Sequence, residues 1–166
     1  MAGGLGDLGQ CIRGISYKPS QVKAEETQET VRLYRSTNIQ DGEIVEEKLI
    51  FLPNSIVSKE RILHYGDLIV CMSNGSKALV GKSAPFRSED NCHSVGSFCA
   101  IFRTRDPELR DFVRFLFQSL VYDRHVLLAL AGSSINNLKN SDIERMCFLF
   151  LSINKRLLLL PISLTR

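Results

Sequence analysis

The run LIVCM, Leu68–Met72, limits the folds open to this chain more than any other stretch. Five consecutive apolar residues without polar alternation suit a short buried strand. Asn74-Gly75 follows, the positive-φ pair that a tight hairpin needs, and Ala78–Val80 is the expected start of the return arm. Gly66–Phe86, GDLIVCMSNGSKALVGKSAPF, therefore reads as strand, turn and strand, with uncharged polar groups and lysines on the turn and return arm.

The same segment comes within one residue of a phosphate-binding loop. That pattern runs Gly, four residues, then Gly-Lys-Ser/Thr, whereas five residues separate Gly75 from Gly81-Lys82-Ser83. With the extra residue the loop N–H groups no longer converge on one phosphate, and Pro85 stands where a helix should run. A polyanion backbone suits the segment better: Asn74 and Ser76 donate to phosphate oxygens, and Lys77 and Lys82 add charge on the exposed side. The plainer alternative, a good turn with solvated lysines, stays open.

Around this segment the chain is organised as strands followed by helices. SQVKAEETQET, residues 20–30, is polar and aperiodic and reads as a loop. Thr30–Thr37 puts Val31 and Leu33 on one face and Arg32 and Tyr34 on the other, as a strand does. Asp41-Gly42 marks a turn, EIVEEKLIFLP ends at Pro53, and Ser97–Arg103 is a further strand. After Thr104, Asp106-Pro107 is a helix start, with Phe112, Phe115, Leu116 and Leu120 as its apolar face. His125–Ala131 is a second helix stopped by Gly132, and Ser141 with Glu144 matches a capping box for a third. The order implies an α+β domain, strand-rich first and helical toward its end.

Composition narrows the class. The 166 residues are 44% apolar and 23% charged, as in an ordinary globular protein, and one domain is the expectation. A net charge of +3 allows a local polyanion-binding patch without demanding one. The five cysteines (11, 71, 92, 99 and 147) are odd in number and scattered, and no CxxC pair occurs. Reduced thiols in a cytoplasmic protein, rather than a metal site at Cys92-His93, are expected. The first ten residues do not read as a signal peptide, and Leu157–Leu160 is too short to span a membrane.

Catalytic constellations do not stand out. His64, His93 and His125 are distant in sequence from candidate nucleophiles, and Ser133-Ser134 lacks a GxSxG context. Asp106 and Glu108 read as helix-start charges rather than as an acid–base pair. No catalytic residue, metal or cofactor is predicted.

Five pieces in order carry a resemblance: LGDLGQCIRGISYKPSQ, VRLYRSTNIQDGEI, GDLIVCMSNGSKALVGKSA, VGSFCAIFR and GSSINNLKNSDIERM. Together, from about Leu5 to Cys147, they resemble the target-recognition domain of the specificity subunit of type I restriction–modification systems. The resemblance implies a non-catalytic, sequence-specific double-stranded DNA-binding module that reads one half of a split target. Methylation and cleavage would then belong to methyltransferase (M) and restriction (R) partner subunits. On that reading the candidates for backbone contacts are Lys18, Arg35, Asn74, Ser76, Lys77, Lys82 and Lys139.

The chain departs from that pattern in holding one recognition domain, residues 1–147, and no long spacer helix. Residues 148–166, FLFLSINKRLLLLPISLTR from Phe148, form an apolar tail where the spacer is expected, as a frameshift or early stop would produce. Two other readings stay open: an interaction fragment that forms a homodimer or docks a partner through Leu157–Leu160, and a nucleotide-binding protein acting through Lys82.

Overall fold

The computed structural model describes residues 2–131, 135–153 and 156–160. In chain order, β1 (Ala2–Gly4) leads into a one-turn helix α1 (Leu5–Leu8) and β2 (Gly9–Arg13). β3 (Thr30–Tyr34), the hairpin β4 (Ile39–Gln40) and β5 (Glu43–Ile44), and β6 (Ile50–Pro53) follow. Next come β7 (Leu68–Cys71), β8 (Ser83–Pro85), β9 (His93–Val95) and β10 (Cys99–Thr104). The helices α2 (Arg110–Phe117), α3 (Leu120–Ala131) and α4 (Asn140–Glu144) precede β11 (Cys147–Ile153) and β12 (Arg156–Leu160). Strands first and helices later is the α+β order the sequence implies.

The central sheet is antiparallel in the order β2-β10-β7-β8. Its register explains why LIVCM lacks alternation. Leu68, Val70 and Met72 join Ala100, Phe102 and Cys11 in a core covered by Val113, Leu116, Phe117, Tyr122 and Ile143 from the helices. Ile69 and Cys71 point the other way, with Ile101, Cys99 and Ala84, onto Tyr34, Ile39, Leu63 and Val95. Both faces are covered, so every position of the strand is apolar. β3 lies in a second sheet, antiparallel to β6 and parallel to β9, and contributes Leu33 to a third small core with Ile15 and Leu52.

Several sequence expectations hold locally. Asp41 and Gly42 take φ of 49° and 77°, the two left-handed positions of a tight hairpin turn joining β4 to β5. The Asp106 carboxylate accepts from the Glu108 N–H at 2.9 Å and opens the 3₁₀ turn leading into α2. EIVEEKLIFLP is interrupted, with strand only at Glu43–Ile44 and Ile50–Pro53.

Others are corrected. Gly75 is not in the left-handed region, and Lys77–Leu79 form a 3₁₀ turn rather than a return strand. The return is Ser83–Pro85, reached through Gly81 at φ 90°. Local and distant causes combine here. The Asn74 side chain accepts the Ser76 N–H at 2.9 Å, an alternative to the hairpin turn. Farther on, α3 crosses so closely that a Cβ on Gly81 would meet Val126 at 2.8 Å, while the Tyr122 hydroxyl donates to the Gly81 carbonyl.

The helices differ in detail as well. Val113, Leu116 and Phe117 form the buried face of α2, leaving Phe115 and Leu120 exposed. Phe115 lies one residue off that face, and Leu120 begins α3 after a break at Gln118-Ser119. Ser119 starts the new helix by accepting from the Tyr122 N–H at 3.2 Å. For α4 the reciprocal cap uses Asp142, which accepts from the Lys139 N–H at 2.7 Å, instead of Ser141 and Glu144. Glu144 accepts from the Cys11 N–H at 2.8 Å, tying the helix to β2. The Gly132 helix stop and Ser133-Ser134 lie outside the described residues. β11 runs between β1 and β12, so the first part of the apolar segment is paired strand. Among the described residues no helix is long and apolar enough to cross a membrane.

Candidate nucleic-acid interface

Three chain segments meet at the Cys71–Cys99 end of the central sheet. The Ile15 N–H donates to the Val95 carbonyl, Gly14 N–H to Cys99, and Gly96 N–H to Tyr34, all within 2.8–3.0 Å. This stitching requires a bare backbone, since a Cβ on Gly14 would lie 2.1 Å from the Gly96 oxygen. It opens a groove of about 580 Å³ whose walls carry Tyr17, Arg35, Ser36, Thr37 and Phe98. Phe98 is 66% exposed at the tip of the turn joining β9 to β10.

Arg35 is held at this groove by contacts on several sides. Its Nη2 donates to the Lys48 carbonyl at 3.0 Å, and its backbone N–H donates to the Asn38 side chain at 2.9 Å. Its Nε is buried without a hydrogen-bond partner. Asn38 is itself buried and donates to the Val45 and Glu47 carbonyls, fixing the loop beneath Arg35. The guanidinium is thus pre-positioned on one side with donor capacity left over.

The sequence-predicted residues divide into two groups. Asn74 donates to the Ser36 hydroxyl at 3.3 Å, which brings the loop after β7 beside Arg35. Ser76 is exposed next to Asn74, and Lys18 is exposed between Tyr17 and Pro19 on the groove wall. Lys77 and Lys139 are exposed on a 3₁₀ turn and at the start of α4. Lys82 is half-buried, and its ammonium donates to the Ile39 carbonyl at 2.5 Å, so its first commitment is inside the fold.

Sequence reasoning missed Phe98, Tyr17 and Asn136. Asn136 donates to the Gly75 carbonyl at 3.1 Å and its own carbonyl accepts from Asn74 N–H, locking the two loops together. Phe98 had a faint signal, an aromatic directly after Gly-Ser, but read as strand core.

Four of the five cysteines are shifted away from nucleophilic activation. Burial pushes the Cys11 and Cys99 thiols up to about 12, and Cys71 is raised for the same reason. Cys92 lies 3.8 Å from His93 Nδ1, but burial and the adjacent Asp90 carboxylate raise its pKa, the opposite of activation. His93 Nδ1 is already engaged by Asp90 at 2.7 Å.

Asp90, Cys92 and His93 also form a group with metal-ligand atoms within 4.8 Å of one another. A cation already stands there. Arg32 Nη1 is 3.2 Å from both Asp90 and His93 Nε2 and 3.8 Å from the Cys92 sulfur, while its Nη2 pairs with Glu26 at 2.6 Å. The donor set fits a guanidinium-centred network stacked beneath Tyr34 rather than a metal centre.

No family model matches the chain. It is 32% identical over 133 residues to the type I restriction enzyme EcoKI specificity subunit of Escherichia coli K12. It is 31% identical over 133 residues to the StySPI specificity subunit of Salmonella potsdam. Each match covers 80% of this chain and 28% of the relative, so the chain spans a little over a quarter of their length. Among solved structures, a type I restriction–modification complex superposes with a TM-score of 0.60 at 17% identity, over 89% of this chain and 33% of that one. The HsdS subunit of Thermoanaerobacter tengcongensis gives 0.59 at 14% identity, over 89% of this chain and 32% of its own.

Sequence and fold together place the chain with the specificity subunits of type I restriction–modification systems. Within that class it corresponds to a target-recognition domain.

Proposed function

We propose that the chain is a double-stranded DNA-binding module that reads one half-site of a split target. The observation that carries this is the groove itself. A guanidinium anchored on one side, two exposed or part-exposed aromatic side chains and the Asn74–Asn136 loop pair converge at one end of the sheet. Arg35 supplies charge and base-edge reach, Phe98 an apolar contact, and Lys18, Ser76, Lys77 and Lys139 the surrounding backbone contacts. Lys82 contributes field rather than direct contact. The domain spans residues 1–147 and acts in the cytoplasm without catalysis of its own, alongside methyltransferase and restriction subunits.

Selection from a random duplex pool by the purified chain tests this reading. One short, continuous motif should be enriched over the starting pool. Unchanged base frequencies after repeated rounds would count against it.

A further inference from the structure

We infer that a second pocket, at the opposite end of the central sheet from the groove, is an oxyanion site of the phosphate class. The register separates the two: Leu68 sits beside Phe102 and Pro85 at one end of β7, and Cys71 beside Cys99 at the other. At the Leu68 end a pocket of about 350 Å³ is bordered by Arg87, Arg110 and Arg114, with Tyr65 and Pro107 beside them. Three guanidiniums from two separate elements, the segment after β8 and α2, face one concavity.

Their existing commitments decide what the pocket lacks. The Arg110 side chain makes no hydrogen bond or ion pair among the described residues, and its backbone N–H donates to the Pro107 carbonyl. Its stem is seated against Gly66, where a Cβ would meet Arg110 Cδ at 2.4 Å, and Gly66 takes φ 87°. Arg114 has one ion pair, at 3.4 Å to an Asp111 carboxylate that is 86% exposed, and its Nε is buried with no partner. Arg87 alone is well paired, through Nη1 and Nη2 to the two carboxylate oxygens of Glu43.

Two positioned guanidinium forks are therefore short of an acceptor, and one lies partly desolvated. Planar forks of this kind match a tetrahedral oxyanion by parallel N–H···O bonds. The carboxylates nearby fill the role only in part: Asp111 borders the pocket but is 86% exposed and reaches Arg114 alone, at 3.4 Å, and Glu43 is held by Arg87. The inference stands independently of the groove and its DNA reading. A free phosphate and a phosphate of a nucleic-acid backbone offer the same chemistry.

Titration of the ¹⁵N-labelled full chain with inorganic phosphate, ionic strength held constant with sodium chloride, tests the site. The Arg110 and Arg114 Nε–H signals and the Gly66 amide should shift along one saturable curve with a midpoint of about millimolar. The double variant Arg110→Gln/Arg114→Gln should weaken binding at least tenfold, with signal dispersion reporting that it stays folded. Glu43→Gln, which releases Arg87 toward the pocket, should tighten it. If the double variant also lowers the salt slope of duplex binding by about 0.9 per lost contact, the phosphate belongs to DNA. If the slope is unchanged while phosphate binding is lost, the ligand is free phosphate. Linear, unsaturated shifts, or equal binding by wild type and double variant, would overturn the assignment. So would binding of polyglutamate without binding of phosphate, which would mark an acidic protein partner instead.

Discussion

Gly14 and Gly96 meet backbone to backbone, so that any side chain at Gly14 would stand 2.1 Å from the Gly96 carbonyl oxygen. That approach lets the end of β2 bond to both Val95 and Cys99, and it shapes the floor of the groove. Gly14→Ala must force the two segments apart. A loss of about 1–3 kcal/mol, the usual cost of overpacking, is expected in urea unfolding. Unchanged stability would mean that the contact is not held in solution.

A second structural test concerns Asp67 and Arg103. Asp67 is 3% exposed and accepts from Arg103 Nε at 3.0 Å, Arg103 Nη2 at 2.7 Å and the His64 N–H at 2.8 Å. Arg103 also donates to the Ile62 carbonyl, pinning the segment before β7. Asp67→Ala leaves a guanidinium and an N–H without their acceptor and should cost about 3 kcal/mol. Chemical denaturation against wild type checks the figure.

The buried thiols predict an alkaline limit. Cys11 and Cys99 have pKa values raised to about 12 from 9.0, by burial first and neighbouring negative charge second. The unfolded chain therefore loses these protons before the folded one. Their contribution is whole below about pH 9 and fades as pH climbs toward 12, at most by about 1.4 kcal/mol per pH unit for each thiol. Cys99→Val should flatten that slope while leaving the acid side alone. In the same samples a thiol reagent should label exposed Cys147 first and reach Cys11, Cys71 and Cys99 only on unfolding.

Phe98 separates binding from folding. As a 66% exposed side chain it contributes little packing, so Phe98→Ala should change stability by no more than about 0.5 kcal/mol. Affinity for the enriched duplex should nevertheless fall about tenfold, equal to about 1.4 kcal/mol. Equal affinity of variant and wild type in fluorescence anisotropy would remove Phe98 from the interface.

What was legible in the sequence followed from short-range chemistry. LIVCM announced a buried strand, Asp41-Gly42 a tight turn, and Asp106-Pro107 a helix start, each from neighbouring residues alone. What was not legible depended on partners far along the chain. Asn74-Gly75 has the composition of a hairpin turn, but α3 resting on Gly81 moves the turn seven residues beyond Asn74. Lys82 resembles a surface lysine until Ile39, 43 positions earlier, supplies its acceptor. Of the interface residues, Arg35 and Asn74 were found by type, yet their proximity runs through Ser36 and crosses 38 positions. The arginine pocket left no motif, since Arg87 and the α2 arginines converge only in the folded chain.

The central claim is that the groove around Arg35 holds duplex DNA. Its most direct measurement is the affinity for the enriched duplex from 50 to 300 mM salt, for wild type and Arg35→Gln. Binding should weaken with a log–log slope of about −0.9 for each phosphate contacted. Arg35→Gln should bind about tenfold more weakly at every salt concentration, with the fold intact. No duplex binding by wild type at the lowest salt, or an Arg35→Gln curve that overlays it, would contradict the account.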